Sequence, residues 1–168
     1  MGSLYISTPH NTSAPFAPVE VATSAAAKSV LQVAVPSTTD IRILGWGISF
    51  DGVTPTDPAG IVELFDCTAS TLATVTALSP DKFRSSTAPA SLCVSGTTAT
   101  GYNATAEGTL TAYRPLDIQE VHPQTGYSLW FPQGGTGPGI DASHQIRIRT
   151  TFSVTINCIP WVVWEEPS

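Results

Sequence analysis

The stretch Gln145-Ile146-Arg147-Ile148-Arg149-Thr150-Thr151-Phe152-Ser153-Val154-Thr155-Ile156-Asn157 decides the fold class. In an extended chain Ile146, Ile148, Thr150, Phe152, Val154 and Ile156 point one way. Arg147, Arg149, Thr151, Ser153, Thr155 and Asn157 point the other. This alternation predicts one long β-strand with a buried face and a wet one. Arg147 and Arg149 then share the solvent or interface face.

The same signal recurs on both sides of this stretch. Downstream, Trp161-Val162-Val163-Trp164 reads as a further strand before the acidic end Glu165-Glu166-Pro167-Ser168. Upstream, Tyr127-Ser128-Leu129-Trp130-Phe131 is a strand that runs into the glycine-rich stretch of residues 132–139. Thr109-Leu110-Thr111-Ala112-Tyr113-Arg114 and Leu116-Asp117-Ile118-Gln119-Glu120-Val121-His122 read as two more. So do Gly60-Ile61-Val62-Glu63-Leu64-Phe65-Asp66-Cys67 and Ser29-Val30-Leu31-Gln32-Val33-Ala34-Val35, the latter stopped by Pro36.

Residues 40–50 change phase within one run. Ile41 and Ile43 occupy one phase, and Leu44, Trp46, Ile48 and Phe50 the other. The buried face therefore switches near Gly45, as at a bulge or a passage between two environments. Gly47, opposite the large side chains, predicts the close approach of another backbone.

Two regions lack the pattern. Residues 68–108, rich in Ala, Ser, Thr and Gly, read as a long loop with one edge strand. A single helical turn starts there at Ser79-Pro80. Residues 1–18 read as an extended arm, since Pro9, Pro15 and Pro18 oppose a helix. Its apolar residues Leu4, Tyr5, Ile6 and Phe16 are expected to dock, preferentially on a neighbouring molecule. About eight strands, with no helix beyond one turn, predict a single jelly-roll-like β-sandwich over residues 19–168. Removing residues 1–18 is then expected to leave that sandwich folded.

Composition narrows the function. Only 12% of the residues are charged, about half the usual share, so the surface is neutral and rich in hydroxyls. A net charge of −6 opposes nucleic-acid binding, which needs clustered Lys and Arg. Arg147 and Arg149 are a close basic pair, too small an electrostatic footprint for a nucleic acid. No apolar run approaches a membrane span, and no signal peptide is visible. Cys67, Cys93 and Cys158 lack the short spacing of zinc or redox motifs and read as buried thiols.

Catalytic constellations are equally hard to assemble. The chain has no G-x-S-x-G elbow and no cysteine in a reactive context. Glu63 and Asp66 lie on opposite faces of one strand, so they are not a local acid pair. His10, His122 and His144 have no second metal ligand at short spacing. The glycine-rich stretch lacks the Lys and the following helix of a phosphate loop. No catalytic residue, metal or cofactor is expected. Trp130 with Trp161 or Trp164 could form a sugar-stacking platform, although aromatic core or interface packing is the commoner use. Trp161 and Trp164, three apart on a strand, face oppositely, so at most one of them joins Trp130.

Three segments together resemble a known family. They are residues 28–33 running on through 41–52, Val121-His122-Pro123-Gln124 with Gly126-Tyr127 and Trp130-Phe131-Pro132, and the ending Val162-Val163-Trp164-Glu165-Glu166. In this order they are similar to small virion proteins of tailed phages of actinobacteria, read as head decoration (cement) proteins. The likeness covers about half the chain and omits residues 66–108. It implies a β-sandwich bound to the outside of a phage head, made in the host cytoplasm. Its partners would be the major capsid protein and itself, as a homotrimer. Leu4, Tyr5, Ile6, Phe16, Arg147 and Arg149 are the candidate interface residues. A tail or baseplate component, a carbohydrate-binding jelly roll and a cupin-like enzyme are the competing readings.

Overall fold

The computed structural model describes residues 2–52, 54–132 and 136–167. Among them the chain forms thirteen strands and no helix. They are β1 (Ser3–Ser7), β2 (Val21–Ala22), β3 (Lys28–Ala34), β4 (Ile41–Phe50), β5 (Gly60–Thr71), β6 (Thr74–Ala77) and β7 (Asp81–Lys82). Then follow β8 (Gly101–Ala106), β9 (Thr109–Val121), β10 (Tyr127–Trp130), β11 (Gly139–Ile140), β12 (Gln145–Thr151) and β13 (Asn157–Glu166). One sheet has the order β10-β4-β13-β1-β7, with β11 on β4 and β2 on β13. The other has the order β6-β8-β3-β12-β5-β9. Pairing between the strands is antiparallel throughout.

The two sheets enclose one core, so the chain is an all-β sandwich. Tyr5, Ile43, Trp46, Ile48, Val162 and Trp164 of the first sheet meet Leu31, Val33, Val62, Leu64, Ile146 and Ile148 of the second. The eight strands expected of a jelly roll give way to thirteen, several of them only two residues long. At the margin of the core half-buried Asp117 accepts hydrogen bonds from Trp46 Nε1 at 3.1 Å and from the Tyr127 hydroxyl at 2.7 Å. A buried indole N–H and a phenol thus find the acceptor that burial demands.

The phase change in β4 is a bulge. Val163 pairs with Gly45 and Trp164 with Ile43, leaving Leu44 as the extra residue. One inserted residue restores the inward phase, so Ile41, Ile43, Trp46 and Ile48 all reach the same core. A second bulge joins two expected strands into β9. Leu64 pairs with Asp117 and Phe65 with Pro115, so Leu116 is extra. Pro115 is tolerated because β9 is an edge strand.

Residues 68–108 are more ordered than their composition suggests. β5 passes into β6 through Leu72 and Ala73, and β8 into β9 through Glu107 and Gly108. Since β5 pairs with β9 and β6 with β8, the four strands are one two-stranded ribbon with a bend. One half of the ribbon is bonded to β12 through β5, the other to β3 through β8, and β12 and β3 are themselves neighbours. The ribbon must therefore arch over the outer face of that pair. Gly108 takes the left-handed φ of +69° at the bend, which favours glycine. The helical turn expected at Ser79-Pro80 is absent; β7 occupies Asp81–Lys82 and pairs with β1 instead.

The arch corrects the reading of the opening stretch. Its thirteen residues form two elements: β12 ends at Thr151, and Asn157 opens β13. Phe152 and Ile156 still fall into the core because the connection closes one end of the sandwich. Of the face expected to be wet, Ser153 and Thr155 are exposed, Arg149, Thr151 and Asn157 are half-buried, and Arg147 is covered, only 1% exposed. Arg147 donates from Nη1 to the Glu107 carbonyl at 2.8 Å and from Nη2 to Gln145 Oε1 at 2.9 Å. Glu107 lies at the bend, so the ribbon itself satisfies the guanidinium.

The arm is corrected too. Ser3–Ser7 is not an appendage but lies within the first sheet, between β13 and β7. Tyr5 is fully buried, its ring 6.1 Å from that of Trp164. Prolines oppose helix, not strand, and those at 9, 15 and 18 punctuate only the loop that follows. That loop is a closed hairpin. Asn11 N donates to the Ala17 carbonyl at 3.0 Å and Val19 N to the Pro9 carbonyl at 2.9 Å.

Candidate functional site

The outer face of the seven-stranded sheet carries the exposed aromatic cluster. Trp130 ends β10 opposite Gly45 of β4, and Trp161 of β13 lies opposite Gly47. Neither glycine has a Cβ to hold the rings off. A Cβ built on Gly45 would meet Trp130 Cε3 and Cδ2 at 2.6 and 2.7 Å. One on Gly47 would meet Cε2, Cζ2 and Nε1 of Trp161, all at 2.7 Å. Three ring atoms equally close mean that the Trp161 plane faces the glycine. The close approach expected at Gly47 is therefore that of an indole and not of a backbone.

The rings form a continuous row. Trp130 and Trp161 have centroids 5.2 Å apart and planes tilted by 37°. Phe83, just past β7, stands 6.4 Å from Trp130 at 35°. Trp130 is 51% and Phe83 48% exposed. Beneath them one register line crosses the sheet from Trp130 through Gly45, Val163 and Ile6 to Asp81. Phe83, two residues beyond Asp81, comes from the opposite side of the sheet to reach Trp130. Val163 is buried although it lies on the outer face, between inward Val162 and Trp164. At the far end of the line His10 Nε2 and Asp81 Oδ2 are hydrogen-bonded at 2.8 Å.

Sequence spacing found part of this cluster. Trp161 joins Trp130, while Trp164 is buried against Tyr5 on the inner face, as the odd spacing requires. Phe83 was not singled out. The Asp81-to-Phe83 alternation is the available signal, but it lies in a segment read as a helical turn.

The six candidate interface residues are not brought together. Tyr5 and Arg147 are core residues and cannot face a partner. Leu4 and Ile6 are half-buried on β1. Arg149 is half-buried; its Nε donates to Glu63 Oε1, and its guanidinium lies 4.6 Å over the Phe65 ring. Tyr113 completes that cluster, with its hydroxyl 2.9 Å from Glu63 Oε2. Phe16 alone is prominent, 75% exposed in the 9–19 hairpin.

The titratable groups are dispersed. His144 Nδ1 and Arg114 Nη2 both bond the buried carboxylate of Asp66, at 2.8 and 2.7 Å. His122 Nδ1 accepts from Gln124 N. Among the described residues no three His, Cys, Asp or Glu side chains converge as a metal site. All three cysteines are buried free thiols. Burial pushes Cys67 up to about 11 and Cys158 up to about 12, and Cys93 higher still. Thiols so protonated are poor nucleophiles at neutral pH. Of the glycine-rich stretch, Gln133, Gly134 and Gly135 lie outside the described residues. Gly139 and Ile140 form β11 on β4.

Fold and surface define a two-sheet antiparallel β-sandwich with an exposed aromatic face. Comparison with protein-family models, curated proteins and solved structures returns no match.

Proposed function

We propose that this protein is a structural virion component, a decoration protein bound to the outside of a phage head and stabilising the shell. The observation that carries this reading is the presentation of Phe16. The loop that bears it is tied at its base by backbone bonds. It is also tied within by Asn11, whose Nδ2 donates to the Pro15 carbonyl at 2.7 Å and whose Oδ1 accepts from Ala17 N at 2.5 Å. An exposed aromatic ring on a pre-ordered loop loses little entropy when a partner's pocket takes it up, which is how an interface anchor works. The major capsid protein is the proposed partner, with self-association as a homotrimer on the shell. The low charge and the three sequence segments described above support the same reading.

The test is attachment to shells. Phe16→Ala protein should co-sediment with assembled heads at least tenfold more weakly than the parent, and heads lacking the protein should lose heat resistance. Equal attachment of the variant, together with equally robust heads, would overturn the proposal. Recovery in the tail fraction alone would move the protein to the tail.

A further inference from the structure

We infer that Trp130, Trp161 and Phe83 form a binding site for a neutral hexopyranosyl oligosaccharide. This goes beyond shell attachment and uses a different surface.

The geometry of the floor carries the argument. Gly45 and Gly47 are two apart on one strand, so their open positions lie about 7 Å apart along the sheet. Each is covered by one indole, Trp130 arriving from β10 and Trp161 from β13. An indole resting on a glycine turns one π face to the sheet and the other outward. The two rings thus lie next to each other at a tilt of 37°, with Trp130 half exposed and Trp161 half-buried, and Phe83 extends the row. Rotation of the rings is opposed from below by backbone and from the sides by each other. Such a platform is organised before any ligand arrives.

A pyranose has the complementary shape and polarity. Its axial C–H groups make a flat apolar face that stacks on the electron-rich face of an aromatic ring, while its hydroxyls project around the rim. Polar groups share this face of the sheet with the rings. Ser128 is exposed beside Trp130, in the register line of Gly47 and Trp161. Asp81, whose side chain is 53% exposed, ends the line that begins at Trp130 and holds His10 by its Oδ2. The carboxylate and hydroxyl can exchange hydrogen bonds with sugar hydroxyls without a charged ligand. The successive ring spacings of 5.2 and 6.4 Å suit consecutive units of a glycan chain better than one monosaccharide. A saccharide is therefore favoured over a protein surface, whose anchors enter sockets and do not lie on flat rings.

The test uses the intact chain and four probes: cellohexaose, maltohexaose, mannohexaose and β-1,4-galactohexaose. At least one should bind by titration calorimetry and shift the tryptophan emission. Trp130→Ala should weaken that binding at least tenfold, and Trp130→Tyr, which keeps a ring, should restore part of it. Phe16→Ala should bind the same probe unchanged, which separates this site from shell attachment. The inference is overturned if none of the four probes binds, or if binding survives in Trp130→Ala. It is equally overturned if Trp130→Ala loses attachment to heads while the parent binds no sugar, since the face is then a protein contact.

Discussion

The indole of Trp161 lies face-on against Gly47 of the adjacent strand, three of its ring atoms 2.7 Å from where a Cβ would stand. Real Cβ contacts are never so short, so Gly47→Ala must lift the ring. Overpacking of this kind costs about 1–3 kcal/mol, offset by up to about 1 kcal/mol from a stiffer unfolded chain. The variant should melt several degrees below the parent, since 1 kcal/mol is worth about 2–4 °C at this size. Its tryptophan emission should shift to the red as the ring meets water. A higher Tm with unchanged emission would show that the ring does not rest on the glycine.

Arg147 tests the arch. Truncating a buried side chain that satisfies buried acceptors leaves those acceptors unpaired, at a cost of about 1–3 kcal/mol each. Arg147→Ala abandons the Glu107 carbonyl and Gln145 Oε1, and its urea midpoint should fall accordingly. Arg147→Met fills most of the same space with apolar atoms and should lose clearly less. The guanidinium is not fully satisfied to begin with: its Nε has no hydrogen-bond partner among the described residues. Equal losses in the two variants would mean that charge and not volume holds the ribbon down.

The same residue shows how far the sequence could be read. Alternation around Arg147 announces a strand correctly, because backbone periodicity is local. Whether its second face is wet depends on a ribbon drawn from residues 60–77 and 101–121, and no local pattern carries that. Ala, Ser, Thr and Gly in residues 68–108 are small enough to bend sharply and pack closely, so the apolar alternation that marks a strand is missing. The bulge at Leu44 was legible, since large side chains on both sides of Gly45 made the phase change visible. β1 was hidden by its neighbours, as the prolines beyond it speak for the loop alone. Two of the three rings of the aromatic face were legible from Trp130 and the Trp161/Trp164 spacing. Phe83 was not, because it arrives from the far edge of the sheet.

Truncation of the N-terminus should unfold the protein and not merely detach it. Removing residues 2–7 strips β13 of a paired neighbour and deletes Tyr5, whose hydroxyl donates to the Pro89 carbonyl at 3.1 Å. Loss of a buried aromatic alone costs about 3–5 kcal/mol, a large part of a typical domain's stability. The shortened chain is expected to show no cooperative melt by circular dichroism at 37 °C. A deletion confined to residues 12–16 should keep the parent Tm, because all five residues are exposed. If the first deletion melts like the parent, β1 is dispensable.

Alkaline pH should destabilise the fold from about pH 9 upward. The thiols of Cys67, Cys93 and Cys158 ionise at 9.0 when exposed, and burial raises all three, Cys67 to about 11 and Cys158 to about 12. Tyr127 behaves alike, pushed from 10.0 to about 12 by burial and by its hydrogen bond to Asp117. Between the unfolded and folded values the unfolded chain has released protons that the native state still holds. The unfolded state then binds fewer protons, so stability falls as pH rises. Each thiol contributes up to about 1.4 kcal/mol per pH unit across its window. Well below pH 9, near neutrality, these groups are protonated in both states and contribute no slope. Melting curves at pH 7.5, 8.5, 9.5 and 10.5 should therefore show a plateau followed by a steepening fall. Replacing Cys67 by Ala should flatten the fall between pH 9 and 11, whatever it does to the plateau. A Cys67→Ala profile parallel to that of the parent would mean that this thiol is not protected from ionisation by the arch above it.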